Sequence, residues 1–212
     1  MQTVTELAMQ RADAGFFARE QAALWIESRG PRLDALLKRA VASGEVWRLN
    51  RGLFCLSDRF THSRVHPFQV AQLIHGPSYI SMESALSYHG WIPEAVQAVT
   101  CATMGRSRVF ESPLGVYTFT RVPQRKFYAG VRSVAGEGGL SFFLATPLKA
   151  LTDLVYAQRH DWTSAEPVVH GLRVDEERLA ELTADQFDEV MEAYRPGRVI
   201  RFLAGLRREL HV

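Results

Sequence analysis

The sequence predicts an α+β protein: an N-terminal unit of three short helices and a hairpin, then a larger mixed α+β domain that ends in helices. Three observations predict it. Leu33, Leu36, Leu37, Ala40 and Val41 recur at i, i+3, i+4, i+7 and i+8, the single apolar stripe of an amphipathic helix. Directly after it, GEVWRLNRGLFCL (residues 44–56) sets two apolar-rich arms, Val46–Leu49 and Leu53–Leu56, around Asn50-Arg51-Gly52. Asn and Gly tolerate the positive φ that a tight hairpin turn needs. Beyond residue 65, strand-like and helix-like runs mix without regular βαβ alternation. The expected organisation is therefore a first domain over 1–57, a linker over 58–64 and an α+β domain over 65–212.

In the first unit, Thr3 and Glu6 fit a capping box, and Val4, Leu7, Ala8 and Arg11 follow at helical spacing. Asp13-Ala14-Gly15 breaks that helix. Phe16 and Phe17 open a second unit, in which Ala22, Ala23, Trp25 and Ile26 suggest a short helix; Trp25 and Trp47 read as core anchors. Ser28-Arg29-Gly30-Pro31 is a turn that places Pro31 at the first position of the third helix, which Ser43-Gly44 ends. Three helices and then a hairpin is the order of a winged helix-turn-helix, whose third helix enters the DNA major groove while the hairpin lies along the backbone or the minor groove. The face opposite the apolar stripe carries Arg32, Lys38 and Arg39, with small Ala35 and Ala42 between them. These cations are the expected base-facing set, and Arg29, Arg48, Asn50 and Arg51 the expected backbone or minor-groove set. The partner so implied is double-stranded DNA. The plainer alternatives are a solvated cationic face or a winged helix that binds protein.

Ser57–Arg64 is polar and without apolar periodicity, hence the linker. Pro67, Val70, Ala71 and Ile74 suggest a short helix closed by Gly76-Pro77. Ser81 is a candidate cap for a helix whose third residue is Ser84 and whose stop is Gly90. Val96–Thr103, Gly115–Thr120 and Leu140–Ala145 read as strands. Thr146 and Pro147 start a helix in which Lys149 and Asp153 stand four apart on one face: most simply a surface pair, with a buried network or a partner contact as the sharper alternative. Helices from Asp175 to Leu182, Ala184 to Tyr194 and Gly197 to Leu210 close the chain, the last carrying Arg198, Arg201, Arg207 and Arg208.

Several blocks of this order form a recognisable set: Gly44-x-Val46-x-Arg48 through Arg51-Gly52-Leu53-Phe54; Tyr79-Ile80-Ser81-Met82-Glu83-Ser84-Ala85-Leu86 with His89-Gly90; Val99-Thr100; Gly115-x-Tyr117-x-Phe119; and Ala145-Thr146-Pro147-Leu148-Lys149-Ala150-Leu151-x-Asp153-Leu154. Over its whole length the chain resembles the AbiEi-type antitoxins of type IV toxin–antitoxin systems, which join an N-terminal winged helix to a larger antitoxin domain. The hairpin block is generic to winged helices, and the second and last blocks are the specific ones. The family usually carries Glu after the Pro, where this chain has Leu148. The resemblance implies a repressor of its own operon that neutralises a nucleotidyltransferase-like toxin. An orphan regulator without a toxin is the variant it also allows. It singles out Tyr79, Ser81, Glu83, Ser84, Lys149 and Asp153 as motif positions without assigning them a role.

Composition bounds the remaining classes. The chain has 212 residues, 47% of them hydrophobic, which suffices for a real core, and its net charge of +2 is too small to imply nucleic-acid binding without a local cluster. Two cysteines inside apolar runs fit buried thiols in a reducing compartment. No leader pattern opens the sequence and no apolar run nears the ~20 residues of a membrane span, so a soluble cytoplasmic protein is expected. No catalytic, metal or cofactor site is expected. His62 and His66 lack a third ligand, and no Gly-x-Ser-x-Gly elbow or phosphate loop occurs; Gly136-Glu137-Gly138-Gly139 reads as a turn. Ser81, Glu83 and Ser84 are explained more simply by capping and packing than as nucleophile and base. Symmetry would favour a homodimer on inverted DNA repeats.

Overall fold

The structure is a computed structural model that describes residues 2–61, 66–94, 96–136, 141–195 and 197–212. The first helix, α1 (Val4–Arg11), starts at the expected capping box: the Thr3 hydroxyl accepts from the Glu6 amide at 3.1 Å and the Glu6 carboxylate accepts from the Thr3 amide at 2.8 Å. A short 3₁₀ turn (Asp13–Gly15) leads into β1 (Phe16–Ala18), then α2 (Arg19–Ile26), α3 (Pro31–Ala42), β2 (Val46–Arg48) and β3 (Leu53–Leu56). The strands pair antiparallel in the order β1-β3-β2.

Strand β1 is a difference from the sequence reading, which merged Phe16 and Phe17 with the helix that follows. Its period-2 alternation spans only three residues. It is fixed by the partner strand, since Phe17 lies opposite Phe54, with ring centroids 5.6 Å apart, and Phe16 lies opposite Cys55. Alternation divides the small sheet between two cores. Phe17, Val46, Phe54 and Leu56 pack with Leu33, Leu37 and Ala40 of α3, whereas Phe16, Leu49 and Cys55 belong to the core of the larger body. Trp25 packs on Phe17 at 5.5 Å, and both it and Trp47 are half-buried.

The larger body runs α4 (Pro67–Ile74), β4 (Ser78–Ile80), α5 (Met82–Tyr88), β5 (Ala98–Thr103), β6 (Arg108–Ser112), β7 (Gly115–Arg121), β8 (Val131–Ala135), β9 (Ser141–Ala145) and α6 (Pro147–Ala157). A π-helical turn (Pro167–Gly171) precedes α7 (Glu176–Ala180), α8 (Ala184–Ala193) and α9 (Arg198–Leu210). The architecture is mixed α+β and ends in helices. Its six-stranded sheet has the order β6-β7-β5-β4-β9-β8, parallel at β5/β7 and β4/β9 and antiparallel elsewhere. Two of the strands absent from the sequence reading, β6 and β8, are the edges of this sheet. Edge strands are half solvated, and RVFES and VRSVA carry too little apolar alternation to announce themselves. Central β4 is buried along its length; the sequence reading did not separate it from the helix that follows.

Each face of the sheet meets a different layer. Tyr79 and Ala102 are cross-strand partners on the face toward α5 and α6, and Thr100 lies on it two residues away on β5. Cys101 and its neighbour Phe119 lie on the other face, where His75 at the end of α4 meets the Phe119 ring at 5.0 Å. Linker residues 62–64, with His62 of the His62/His66 pair, lie outside the described residues, as do 137–139 of the glycine-rich turn and Leu140. Among the described residues no helix is long and apolar enough to cross a membrane.

Helix α9 packs against α6 and α8, and its Gly205 is where backbone meets backbone. A Cβ there would lie 1.9 Å from the Thr163 carbonyl oxygen, a distance no side chain occupies without moving the chain. Gly205→Ala is expected to lower stability by about 1–3 kcal/mol or more. Urea unfolding measures this, and an unchanged midpoint would show that the loop at Thr163 yields freely.

Candidate nucleic-acid interface and the buried polar network

The N-terminal cations fall into two groups set by helix geometry. At 100° per residue, the buried Leu33, Leu37 and Ala40 define one side of α3, and the opposite side carries exposed Ala35 and Ala42. Arg32 and Arg39 occupy one flank of that open side and Lys38 the other; all three are exposed. Lys38 lies beside the hairpin, where it lines with Arg48 and Arg51 a hollow of about 400 Å³ floored by Leu37, Val41 and Phe54. Arg29 is exposed on the turn before α3.

Two residues alter the expected picture. Asp34 also lines the hollow and takes two hydrogen bonds from Arg19, at 2.9 and 2.7 Å, so the one acidic side chain there is already paired. Neither residue stood out in the sequence, since each is an ordinary helix-surface charge until the fold brings α2 beside α3. Asn50 carries a structural task that the sequence did not announce. Its side-chain oxygen accepts from the Gly52 and Leu53 amides at 2.9 and 3.0 Å, and its amide nitrogen donates to the Ile74 carbonyl at 3.1 Å. The side chain thus closes the turn and fastens it to the last turn of α4 with its oxygen and one of its two amide N–H groups. Arg48 donates through Nε to the Asn50 carbonyl at 3.0 Å, which leaves its terminal nitrogens for other contacts.

The motif positions of the larger body converge on one point. Lys149 and Asp153 do stand four apart on α6, but both are completely buried, their charged atoms 3.0 Å apart, so the surface-pair expectation is overturned in favour of a buried network. The reason is that α6 is covered on several sides, leaving no solvent face at these positions. The three Lys149 N–H donors meet Gln124 Oε1 at 2.6 Å, the Tyr194 hydroxyl oxygen at 2.6 Å and Asp153 Oδ1. Asp153 Oδ2 accepts from the Tyr79 hydroxyl at 2.8 Å and the Ser81 hydroxyl at 2.7 Å, and Oδ1 from Tyr194. Gln124 Nε2 closes the circuit by donating to the Tyr79 oxygen at 2.8 Å. Lys149 also lies over the Tyr194 ring, 4.3 Å from its centroid. Every donor of the ammonium is used, which is the condition under which a buried charge is tolerated.

Ser81 occupies the N-cap position of α5 but caps nothing, because its hydroxyl serves Asp153. The Ser84 amide is instead accepted by Thr100 Oγ1 at 3.0 Å, and the Ser84 hydroxyl receives the Thr100 amide at 2.8 Å. Glu83 accepts from Gln158 Nε2 at 2.7 Å, and His89 bonds the Ala145 carbonyl at 2.9 Å, away from Ser81. The motif residues so placed knit β4, α5, β5 and α6 together. Leu148 is in the core, an environment that suits the apolar residue this chain carries. Gln124 and Tyr194, both indispensable to the circuit, were not found in the sequence. They lie 25 and 45 residues from Lys149 and carry no local signature. Gly130 is required beside them, since a Cβ there would lie 2.9 Å from the Lys149 Cβ and its φ is +72°.

Among the described residues no group of three or more His, Cys, Asp or Glu could hold a metal ion. A scan against protein-family models and a search of the curated proteins return no significant match for this chain.

Two outcomes follow from the network. Removing one charge strands the other, so Lys149→Met is expected to cost about 3–5 kcal/mol, while Lys149→Met with Asp153→Leu should cost clearly less than the single change. Denaturant titration of the three proteins decides this; a double variant no more stable than the single one would contradict the stranded-charge account. The second concerns alkali. Burial pushes the Cys55 thiol from 9.0 up to about 12, aided by the Asp58 carboxylate, and raises Cys101 and Tyr117 as well. Burial and then the Asp153 charge hold Tyr79 and Tyr194 well above 10.0. Each of these folded-state values lies above its unfolded one, so each group's contribution is present below the unfolded value and is lost as pH rises. Lys149, lowered by burial against the pull of Asp153, acts in the opposite sense. Five groups against one give a net loss of stability from about pH 9 to 12. Melting temperatures across that range check it, with a flat profile as the contrary result.

Proposed function

We propose that this chain is a DNA-binding transcriptional regulator of the AbiEi antitoxin type, one that holds the operator of its own operon and neutralises a nucleotidyltransferase-like toxin. The N-terminal unit is read as a winged helix, with α3 as the recognition helix and the β2–β3 hairpin as the wing. The element order and the three-stranded antiparallel sheet support that reading. The observation that carries it is the gathering of Lys38, Arg48 and Arg51 around one hollow, beside a flank where Arg32 and Arg39 are exposed. Cations from a helix and a hairpin tip that share one face suit a duplex, which offers base edges to the helix and phosphates to the wing.

In this reading Arg32, Lys38 and Arg39 face the bases and Arg29, Arg48 and Arg51 the backbone, while Asn50 holds the wing in place. The antitoxin part rests on the Tyr79–Leu86 and Ala145–Leu154 motifs. Two copies would occupy the halves of an inverted repeat. The protein works in the cytoplasm, where Cys55 and Cys101 stay free thiols. One observation favours a second reading: the apolar floor of Leu37, Val41 and Phe54 would also receive a side chain from a protein partner.

Retardation of the DNA upstream of its own gene tests the proposal. Arg51→Ala should weaken binding to many sequences alike and reduce the salt slope by about one. Lys38→Ala or Arg39→Ala should relax discrimination at particular base pairs, by about 1–3 kcal/mol where the contact is bidentate. Absence of retardation at low salt would move the hollow to the protein-binding reading. The adjacent gene separates a toxin pair from an orphan regulator.

A further inference from the structure

A cavity of about 950 Å³ opens on the larger body, between the end of β7, the end of α6 and the start of α9. Its lining includes Arg121, Arg159, Arg195 and Arg198, and no acidic side chain. Arg121, Arg159 and the pair Arg195 and Arg198, which stand three residues apart, come from three separate places in the chain, so their convergence is a product of the fold. Among the described residues none of them has a carboxylate partner. Four like charges held around one concavity repel each other unless an anion joins them.

Three further features point the same way. Arg198 donates through Nη2 to the Tyr156 carbonyl at 3.1 Å, which fixes the guanidinium, while its Nε is buried with no hydrogen-bond partner among the described residues. Arg159 holds φ of +59° as the residue that stops α6, its amide donating to the Tyr156 carbonyl and the His160 amide to the Val155 carbonyl, an ordinary left-handed helix ending that sets this side chain at the rim. Gly197 and Val199 in the wall belong to the N-terminus of α9, a 13-residue helix that no side chain caps. The inner wall is formed by Gln124 and Tyr194, which are hydrogen-bonded to Lys149, so the rigid network backs the cavity.

We propose that this cavity binds a small molecule bearing two or three linked phosphates, of the nucleoside di- or triphosphate class. Guanidinium groups match phosphate oxygens in paired geometry, and two phosphates bring roughly three to four negative charges to four arginines. The volume is that of a small-molecule site, and Tyr156 is the aromatic residue of its lining besides Tyr194. A duplex backbone would instead call for cations along an open surface, as on α3 and its hairpin.

Calorimetric titration of the full chain with tripolyphosphate, with GTP and with guanosine tests this, alongside Arg159→Glu/Arg195→Glu protein. Both of those residues are exposed, and an unchanged melting temperature without ligand would establish that the variant is folded. The wild type is expected to bind tripolyphosphate and GTP but not guanosine, and the variant to bind about tenfold or more weakly. Binding of GTP tighter than tripolyphosphate would assign the nucleotide as the source; equal binding would assign the polyphosphate alone. Arg32→Ala/Arg39→Ala on α3 should leave both affinities unchanged. Absence of binding by the wild type, or equal binding by the charge-reversed variant, would overturn the proposal. So would loss of DNA retardation in that variant without any phosphate binding in the parent, which would make the cavity a contact for DNA.

Discussion

Lys149 and Asp153 bring two charges into an interior with no water to share them, and most of the larger body is arranged around that demand. An unpaired buried charge would cost more than a domain can spare, so each donor of the ammonium needs an acceptor and both carboxylate oxygens need donors. Those partners come from β4, from the turn into α5, from the segment after β7 and from the end of α8. Gly130 leaves room for the lysine stem. The network thus fixes how the helical layer sits on the sheet. An apolar core of the same volume would pack as well but would specify fewer mutual positions.

The hairpin is tied down by the same logic at smaller scale. Its sheet has two buried faces because alternate residues serve different cores, Phe54 and Leu56 on one side, Cys55 and Leu49 on the other. Asn50 adds a polar fastening to the end of α4, whose last carbonyls lack helical partners. A hairpin so held presents Arg48 and Arg51 from a rigid support. Less ordering entropy is then lost when those side chains engage a ligand.

Two basic regions consequently occupy opposite sorts of ground. The N-terminal one is an open face of a helix and a hairpin, suited to an extended partner. The one bounded by Arg121, Arg159 and Arg198 is concave, backed by the filled network and without a carboxylate in its wall. Net charge of +2 conceals both, since acidic residues elsewhere offset them.

Much of the local structure was legible. The α3 stripe, the Thr3–Glu6 box and Pro31 act within a few residues, where periodicity and capping dominate, and the structure contains each. The turn at Asn50-Arg51-Gly52 is also there, but neither Asn50 nor Gly52 takes the expected positive φ, and the Asn50 side chain closes it instead. The solvent-facing side of α3 followed from the same periodicity. The edge strands β6 and β8 and the three-residue β1 escaped, because their pairing and not their pattern makes them strands. The sequence by itself determined the α+β class, the order of the first elements and which cations share the outer face of α3. Only the tertiary structure decided that Lys149 and Asp153 are buried, that Asn50 is an internal fastening, and that arginines from three places in the chain line one cavity. Those facts depend on contacts between residues far apart in the chain, and neither spacing nor propensity encodes such distances.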